Sequence, residues 1–295
     1  MPHTISTFFQ YLRERLYTAD EYGWQETSYM ARMVLEYLYQ ERWQSLFAKD
    51  NMPVSAENSA KAEIFLTKLL QFQPIQYVLG EAYFYERRFM VNEQVLIPRG
   101  ETEELMLWTV QEVRRKKGLC KVLDIGTGSG CIPISVYLEL AEKGISAQVS
   151  GLDISENALQ VARKNAAALG AKVDFFCLDI LHTNAEDLGK WDIIVSNPPY
   201  VPLKDKAEMA AHVKDFEPHL ALFVPDEDPL LFYRTITNLG KTALNKEGIL
   251  LFEIYTGFAT EIREMLTEMG YENIICKEDI HGKARMVRGE LRIES

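Results

Sequence analysis

The chain of 295 residues contains four cysteines, and no two of them lie close together in the sequence. Zinc sites and redox motifs built from cysteine need closely spaced pairs, so this spacing gives no sign of either. We expect the cysteines to be reduced core residues of a cytosolic protein. They are Cys120, Cys131, Cys177 and Cys276. The five histidines are dispersed as well, so we predict no metal site.

Long apolar runs are also absent. No stretch approaches the roughly 20 apolar residues that span a bilayer, and the first residues lack the basic region and apolar run of a secretory signal. We therefore expect a cytoplasmic protein without a membrane segment. The composition is 47% hydrophobic and 25% charged, which is typical of a globular protein. The length allows one large domain or two smaller ones.

Positive charge is scarce: 43 acidic residues face 32 basic ones, and the net charge is -11. Proteins that bind duplex nucleic acid usually carry a basic stripe, because neutralising phosphates supplies most of the affinity. The most basic run, 114–117, precedes a predicted strand and indicates a solvated helix end. We expect a protein substrate and no direct nucleic-acid substrate, although a local basic groove is compatible with this net charge.

The amino-terminal region shows helical spacing and no clear strand pattern. Apolar residues recur there at steps of three and four, for example Ile5, Phe8, Phe9, Leu12 and Leu16. We predict a small helical bundle over residues 1–82. Alternating apolar residues then predict a β-hairpin over 83–98, which links the bundle to a larger domain, 99–295.

Seven short apolar runs follow, with helical patterns between most of them. This alternation predicts an α/β fold in which helices cover both faces of a mostly parallel, seven-stranded, Rossmann-like sheet. The runs are Val122–Ile125, Val149–Asp153, Val173–Phe176, Ile193–Val195, Ile249–Phe252, Ile274–Cys276 and Met286–Leu291. Such sheets bind ligands beyond the carboxyl ends of their strands, so the residues after each run are candidates for chemistry.

A glycine-rich loop follows the first run: Gly126, Thr127, Gly128, Ser129 and Gly130. Glycine lets a backbone turn sharply and approach a ligand closely. The spacing differs from the dinucleotide fingerprint and from the phosphate-binding P-loop. It favours a nucleoside ligand without a pyrophosphate, and a purely structural turn is the alternative.

Acidic residues stand at the next two strand ends. Asp153 closes the second run, where an acid accepts hydrogen bonds from ribose hydroxyls in doubly wound folds. The alternative is that Asp153 caps the following helix, a role that Ser155 would fill equally well. Asp179 and Ile180 stand near the end of the third run, where an acid and an apolar neighbour would hold an adenine. A plain loop acid is the alternative there.

The most specific pattern is the segment Asn197-Pro198-Pro199-Tyr200, directly after the fourth run. Its two prolines make the turn stiff, so that Asn197 Oδ1 and the Pro198 carbonyl oxygen become two fixed acceptors beside the aromatic wall of Tyr200. Two acceptors suit a planar amide or amine nitrogen, which is a poor nucleophile because its lone pair is delocalised. We predict methyl transfer from a sulfonium donor, catalysed by positioning and electrostatics. A rigid strand-to-loop turn is the alternative.

These residues resemble the release-factor glutamine N5-methyltransferase family over essentially the whole chain. Further matching segments are Gln73–Gly80, Ile97–Glu103, Glu217-Pro218, Ala221-Leu222 and Asp279–Lys283. The resemblance implies transfer of a methyl group from S-adenosylmethionine, with S-adenosylhomocysteine as the product. The implied acceptor is the glutamine of the Gly-Gly-Gln motif in peptide-chain release factors, which would be the protein partners.

The resemblance also assigns roles to residues. It implies that Asn197 and Pro198, with Pro199 and Tyr200 beside them, hold the glutamine amide. It implies that the loop 126–130, Asp153, Ile180 and Asn197 bind the cofactor. The amino-terminal helices would help to recognise the release factor. Three positions depart from the family pattern, Gly100, Tyr255 and the loop 224–228, and none belongs to the glycine-rich loop or to segment 197–200.

Three other interpretations are compatible with the sequence. Adenine-N6 methyltransferases share the Asn-Pro-Pro-Tyr segment, so the acceptor could be an adenine in DNA or RNA, against the acidic balance of the chain. In the second interpretation, the chain is a module that binds cofactor and partner without turnover. The complete segment 197–200 argues against it. In the third, the amino-terminal helices only stabilise the sheet domain.

Overall fold

The structure is a computed structural model and describes residues 4–19, 22–279 and 282–292. It divides into two units, Met1–Gly80 with Ala210–Phe216, and Glu81–Met209 with Glu217–Ser295. Of the matching segment Asp279–Lys283, Ile280 and His281 lie outside the described residues. The predicted domains, 1–82, 83–98 and 99–295, stay predictions.

The helices and strands are numbered in chain order. The helices are α1 (Ile5–Tyr17), α2 (Trp24–Tyr39), α3 (Trp43–Phe47), α4 (Ala56–Leu69), α5 (Ile75–Leu79), α6 (Gly100–Arg115), α7 (Cys131–Glu142), α8 (Glu156–Leu169), α9 (Ala211–Lys214), α10 (His219–Leu222), α11 (Leu231–Ala243) and α12 (Ala259–Glu268). The strands are β1 (Glu81–Phe84), β2 (Arg87–Met90), β3 (Cys120–Ile125), β4 (Ala147–Asp153), β5 (Val173–Cys177), β6 (Trp191–Ser196), β7 (Val201–Pro202), β8 (Phe223–Val224), β9 (Leu244–Glu253), β10 (Tyr271–Glu278) and β11 (Ala284–Leu291).

The first unit contains α1 to α5 and α9. Helix α1 begins with a capping box, in which the side chains of Thr4 and Thr7 each accept a hydrogen bond from the other's backbone N–H. The predicted apolar face of α1 is buried at Ile5, Phe8, Leu12 and Leu16. These residues pack with apolar residues of α2 and α4 in one core. The amino-terminal helices predicted from the spacing are therefore confirmed.

The second unit contains a seven-stranded sheet of order β5-β4-β3-β6-β9-β11-β10. Neighbouring strands from β5 to β9 are parallel, whereas β11 runs antiparallel to both β9 and β10. The seven predicted runs all lie in these strands, which confirms the mostly parallel sheet. The chain moves from β3 outward to β5 and then returns to β6 on the other side of β3. This reversal places a ligand crevice at the carboxyl ends of β3 and β6.

Helices cover both faces of the sheet, so its central strands are apolar on both sides. On β3, Val122 packs into a cluster with residues of α6 and α7. The next residue, Leu123, packs into a second cluster with residues of α11 and α12. The alternation of side chains along a strand thus supplies both core layers.

A β-hairpin forms at the start of the second unit, where β1 pairs with β2 from Glu81↔Met90 to Phe84↔Arg87. The following residues, 91–99, contain no strand. Asn165 of α8 holds this hairpin, because its side chain accepts a hydrogen bond from Met90 N at 2.7 Å and donates one to Met90 O at 3.0 Å.

Two of the four cysteines differ from the prediction that they belong to the core. Cys120 and Cys131 are buried, whereas Cys177 is exposed and Cys276 is half-buried. The prediction was wrong for Cys177 because it ends β5, an edge strand of the sheet, and Cys276 lies on β10, the other edge. Among the described residues, no helix has the length and apolar character needed to cross a membrane.

Candidate active site

A cavity of about 310 Å³ lies at the carboxyl ends of four parallel strands. Residues that end or follow β3, β4, β5 and β6 line it: Ile125, Gly126, Gly128, Leu152–Ser155, Leu178–Leu181 and Ser196–Pro199. Residues 94–96, Pro218, Leu220 and Ala221, together with Phe232 and Ile236 of α11, contribute further lining. The cavity therefore occupies the switch point of the sheet, and its volume is that of a small-molecule site.

The backbone conformation of the loop 126–130 explains why glycine occupies every second position. Gly126, Gly128 and Gly130 have φ values of 76°, 53° and 79°, in the left-handed region that favours glycine. Gly126 and Gly128 line the cavity. The other three residues predicted to bind cofactor lie elsewhere: Thr127 and Ser129 are buried, and Gly130 caps α7 while packing against Ile134 and Ala162.

Asp153 lies on the cavity wall and holds the glycine-rich loop in place. Its carboxylate accepts hydrogen bonds from Gly128 N and Ser155 N, each at 2.9 Å. The Ser155 hydroxyl caps α8 by accepting a bond from Ala158 N at 3.2 Å. The cap thus belongs to Ser155. Burial raises the pKa of Asp153, and the backbone hydrogen bonds to its carboxylate oppose this shift. The carboxylate oxygens keep lone pairs that can accept further hydrogen bonds.

Asp124 of β3 is a buried acid that our sequence analysis did not single out. It is 0% exposed, and neither of its oxygens accepts a hydrogen bond of ordinary geometry from the described residues. Burial raises its pKa to about 7, the nearby Asp153 charge adds to the shift, and the Thr127 hydroxyl opposes it. The one feature of the sequence that could have indicated a role for Asp124 is its position two residues before the glycine-rich loop.

Asp179 and Ile180 both line the cavity and follow β5, which ends at Cys177. The Asp179 carboxylate makes local contacts, accepting from Leu181 N at 2.9 Å and lying 2.7 Å from His182 Nδ1. The hydrogen bond with His182 lowers the pKa of Asp179. Ile180 is 8% exposed and supplies apolar lining.

Segment 197–200 begins where β6 ends. Ser196 Oγ donates to Ile125 O at 2.6 Å, which joins the ends of β6 and β3. Asn197, Pro198 and Pro199 line the cavity. Tyr200 lies outside that lining: its ring centroid is 6.0 Å from that of Tyr255. The wall that we predicted Tyr200 to form for the substrate therefore stays a prediction.

A buried chain of hydrogen bonds reaches Asn197 from two distant segments. Asn197 Nδ2 donates to Thr102 Oγ1 at 3.2 Å, and Thr102 Oγ1 donates to Glu253 Oε2 at 2.7 Å. The Tyr200 hydroxyl donates to the other oxygen, Glu253 Oε1, at 3.2 Å. Burial raises the pKa of Glu253, and the two donated hydrogen bonds oppose the shift. No sequence pattern predicts a role for Thr102 or Glu253.

An ion pair joins two segments that contribute to the cavity. The Glu217 side chain is fully buried; it pairs with Arg99 and accepts a hydrogen bond from Ile97 N at 3.2 Å. These residues adjoin Leu96 and Pro218, which both line the cavity. The ion pair therefore fixes the 94–99 and 217–221 segments relative to each other.

Known proteins resemble this chain in sequence over most of its length. The protein-family model described as "Methyltransferase domain" matches residues 116–278. The release factor glutamine methyltransferase of Flavobacterium psychrophilum is 42% identical over 263 residues, covering 88% of this chain and 90% of that protein. The chain belongs to the release factor glutamine methyltransferase family. The resemblance inferred from the motifs is thereby confirmed.

A second relative gives the same result over most of the chain. The release factor glutamine methyltransferase of Bacteroides thetaiotaomicron is 44% identical over 234 residues, covering 79% of this chain and 82% of that protein. Among solved structures, a methyltransferase from Pyrococcus furiosus aligns with a TM-score of 0.48 at 15% identity, covering 81% of this chain and 100% of that one.

Proposed function

We propose that this protein transfers a methyl group from S-adenosylmethionine to the side-chain amide nitrogen, N5, of the Gly-Gly-Gln glutamine in peptide-chain release factors. The observation that carries the proposal is the hydrogen bonding of the Asn197 side-chain amide on the cavity wall. Its Nδ2 is engaged by Thr102, so Oδ1 remains to accept an N–H of the substrate. The relatives named release factor glutamine methyltransferase support the choice of substrate.

The residues around the cavity fit S-adenosylmethionine. Gly126 and Gly128 offer backbone without side chains, Asp153 offers carboxylate lone pairs to ribose hydroxyls, and Ile180 offers an apolar surface to the adenine. We assign these four residues and Asn197 to cofactor binding, whereas Thr127, Ser129 and Gly130 shape the loop from inside the fold. When bound, S-adenosylmethionine supplies an electrophilic methyl group on a sulfonium sulfur. The products are S-adenosylhomocysteine and an N-methyl amide, whose nitrogen has given up one of its two protons.

The work of the protein in this proposal is positioning. Asn197 Oδ1 and the Pro198 carbonyl oxygen accept the two N–H groups of the glutamine amide, which orients its nitrogen. Holding both N–H groups favours a pyramidal nitrogen with a localised lone pair, in contrast to the planar, delocalised amide. The fixed acceptors need no reorganisation during the reaction. In this assignment, Pro199 and Tyr200 complete the wall beside the amide.

The helical unit supplies the surface for the release factor in this proposal. Several of its large apolar side chains are well exposed, although such residues are usually buried. They are Tyr17, Trp24, Tyr29, Phe47 and Ile64. The rings of Tyr17 and Trp24 lie together, with centroids 5.2 Å apart, and contiguous exposed apolar patches are typical of surfaces that bind other proteins. We assign the substrate to the protein class and not to nucleic acid.

Mass spectrometry of an unmodified release factor, incubated with this protein and S-adenosylmethionine, tests the proposal. We expect the gain of one methyl group, mapped to the Gly-Gly-Gln glutamine. A short peptide with the same motif, which lacks the rest of the factor, should be methylated less efficiently. Asn197→Ala should abolish most of the transfer and keep measurable cofactor binding.

Asn245→Ala is the matched control. Asn245 is half-buried like Asn197, its Nδ2 donates to Asp192 at the start of β6, and neither residue lines the cavity, so this variant should retain the activity. Methylation of adenine in DNA or RNA, with none on the factor, would replace the proposed substrate by a nucleic acid. Near-normal turnover by Asn197→Ala would contradict the role of segment 197–200.

A further inference from the structure

The side-chain amide of asparagine has two orientations that place either its oxygen or its nitrogen at the same point. Only one of them serves the proposed reaction, because an N–H of the substrate requires the oxygen as acceptor. Asn197 is half-buried on the cavity wall, so water reaches part of its side chain. The stiff prolines that follow fix its backbone but leave this choice open.

Thr102 determines which of the two orientations the Asn197 amide adopts. Its side chain is 3% exposed, and its hydroxyl has one hydrogen, which is donated to Glu253 Oε2 at 2.7 Å. The hydroxyl oxygen therefore has only lone pairs for Asn197, and it accepts the Nδ2 hydrogen at 3.2 Å. In the reversed amide, Oδ1 would face this oxygen, and two acceptors would meet without a hydrogen between them.

Glu253 fixes the direction of the chain when its carboxylate is ionised, since both of its oxygens then only accept hydrogen bonds. Its second oxygen accepts from the Tyr200 hydroxyl at 3.2 Å. One carboxylate therefore holds both ends of segment 197–200, Tyr200 directly and Asn197 through Thr102.

Regular elements keep these groups in place. Thr102 lies in the first turn of α6, and Glu253 ends β9. Strand β9 pairs with β6 up to Ser196↔Phe252, so Glu253 follows the pair that precedes Asn197. Side chains on paired strands and helices are held more tightly than side chains on loops.

We propose that Thr102 and Glu253 are positioning residues that hold the Asn197 amide with Oδ1 available to the substrate amide. The inference deepens the proposed function and rests on it. It differs from a general stabilising role, because it predicts a loss of turnover much larger than any loss of cofactor affinity, and recovery with a hydroxyl at position 102.

Thr102→Val tests the inference, since valine keeps the shape of threonine and removes the hydroxyl. We expect kcat for methylation of a release factor to fall about 10- to 100-fold, as for a lost hydrogen bond at a buried polar group. The Kd for S-adenosylmethionine, measured by calorimetry, should change much less than kcat, because Asn197 is one of several residues assigned to the cofactor. Thr102→Ser retains the hydroxyl and should recover most of the kcat.

Thr109→Val is the matched control. Thr109 is also fully buried on α6, but its hydroxyl donates to Leu105 O at 2.9 Å and has no part in the chain to Asn197. This variant should keep the kcat of the wild type. Unchanged kcat in Thr102→Val would overturn the inference, and so would equal losses in Thr102→Val and Thr102→Ser or in Thr102→Val and Thr109→Val.

Failure of the wild type to methylate a release factor would contradict the proposed function, and nuclear magnetic resonance would then decide the inference. The Asn197 side-chain NH₂ signals can be identified by their loss in Asn197→Asp. We expect these signals to shift in Thr102→Val and to stay in place in Thr109→Val. Signals that are the same in the wild type and in Thr102→Val would refute the contact that orients the amide.

Discussion

Replacing Gly130 by alanine should destabilise the protein through two separable effects. Gly130 has a φ of 79°, and left-handed backbone costs an ordinary residue about 1–2 kcal/mol. A Cβ at this position would also lie 2.9 Å from Ile134 Cδ1 and 3.1 Å from Ala162 Cβ. Relieving such overpacking costs about 1–3 kcal/mol. The free energy of unfolding should therefore fall by about 2–5 kcal/mol in total.

Gly170→Ala separates the two effects. Gly170 has a φ of 72°, and a Cβ there would meet no heavy atom within 4 Å. Only the conformational cost of about 1–2 kcal/mol applies. The difference between the two variants measures how closely α7 approaches α8 at the end of the glycine-rich loop.

Equilibrium unfolding in urea, without cofactor, gives both free energies. We expect Gly130→Ala to lose about 1–3 kcal/mol more than Gly170→Ala, with similar dependence on urea concentration. Equal losses would show that the contacts of a Cβ with Ile134 and Ala162 carry no cost. Gly130 would then be required for its backbone conformation alone.

Two further predictions concern the acids at the strand ends. Asp153→Asn should weaken S-adenosylmethionine binding about 10- to 100-fold in calorimetry. The control is Asp174→Asn, at an exposed acid of the neighbouring β5, which should leave the Kd unchanged. Equal affinities in both variants would contradict the ribose assignment. For Asp124, burial raises the pKa from 3.8 to about 7, so unfolding releases a proton between these values and stability falls as the pH rises. Between about pH 5 and pH 7, the free energy of unfolding of Asp124→Asn should fall less steeply than that of the wild type, by about 1.4 kcal/mol per pH unit. If the free energies of unfolding of variant and wild type depend on pH in the same way, the raised pKa of Asp124 is refuted.

The sheet could be predicted because parallel strands buried on both faces need continuous apolar runs. Most runs, such as Val122–Ile125, have helical patterns beside them that make them easy to recognise. The extent of the hairpin could not be predicted in this way. Residues such as Val95 and Ile97 alternate like a strand but are buried without one, since burial alone produces the same spacing. The two-residue strands β7 and β8 are too short to leave a periodic pattern.

The places where the cofactor and the acceptor would bind could be predicted from strand ends, but the side chains that contact them could not. In the glycine-rich loop, the sequence treats Thr127 and Gly128 as equivalent members of one motif. The structure buries Thr127 and places Gly128 on the cavity wall, because the left-handed glycines turn the chain at alternate residues. The contacts of Asn197 with Thr102 and of Thr102 with Glu253 span 95 and 151 residues, beyond any local pattern.

Asparagine is an ambiguous group, and this ambiguity limits what a motif can predict. The residue types in Asn-Pro-Pro-Tyr place an amide at the cavity but leave open whether it presents a donor or an acceptor. The direction comes from Glu253, whose carboxylate receives the Thr102 hydrogen and so leaves Thr102 to receive the hydrogen of Asn197 Nδ2. Each bond in this chain has one possible direction once Glu253 is ionised. The acceptor character of Asn197 is therefore a property of three segments together, and a variant in which position 102 or 253 has changed would keep the motif but lose the chemistry that the motif predicts.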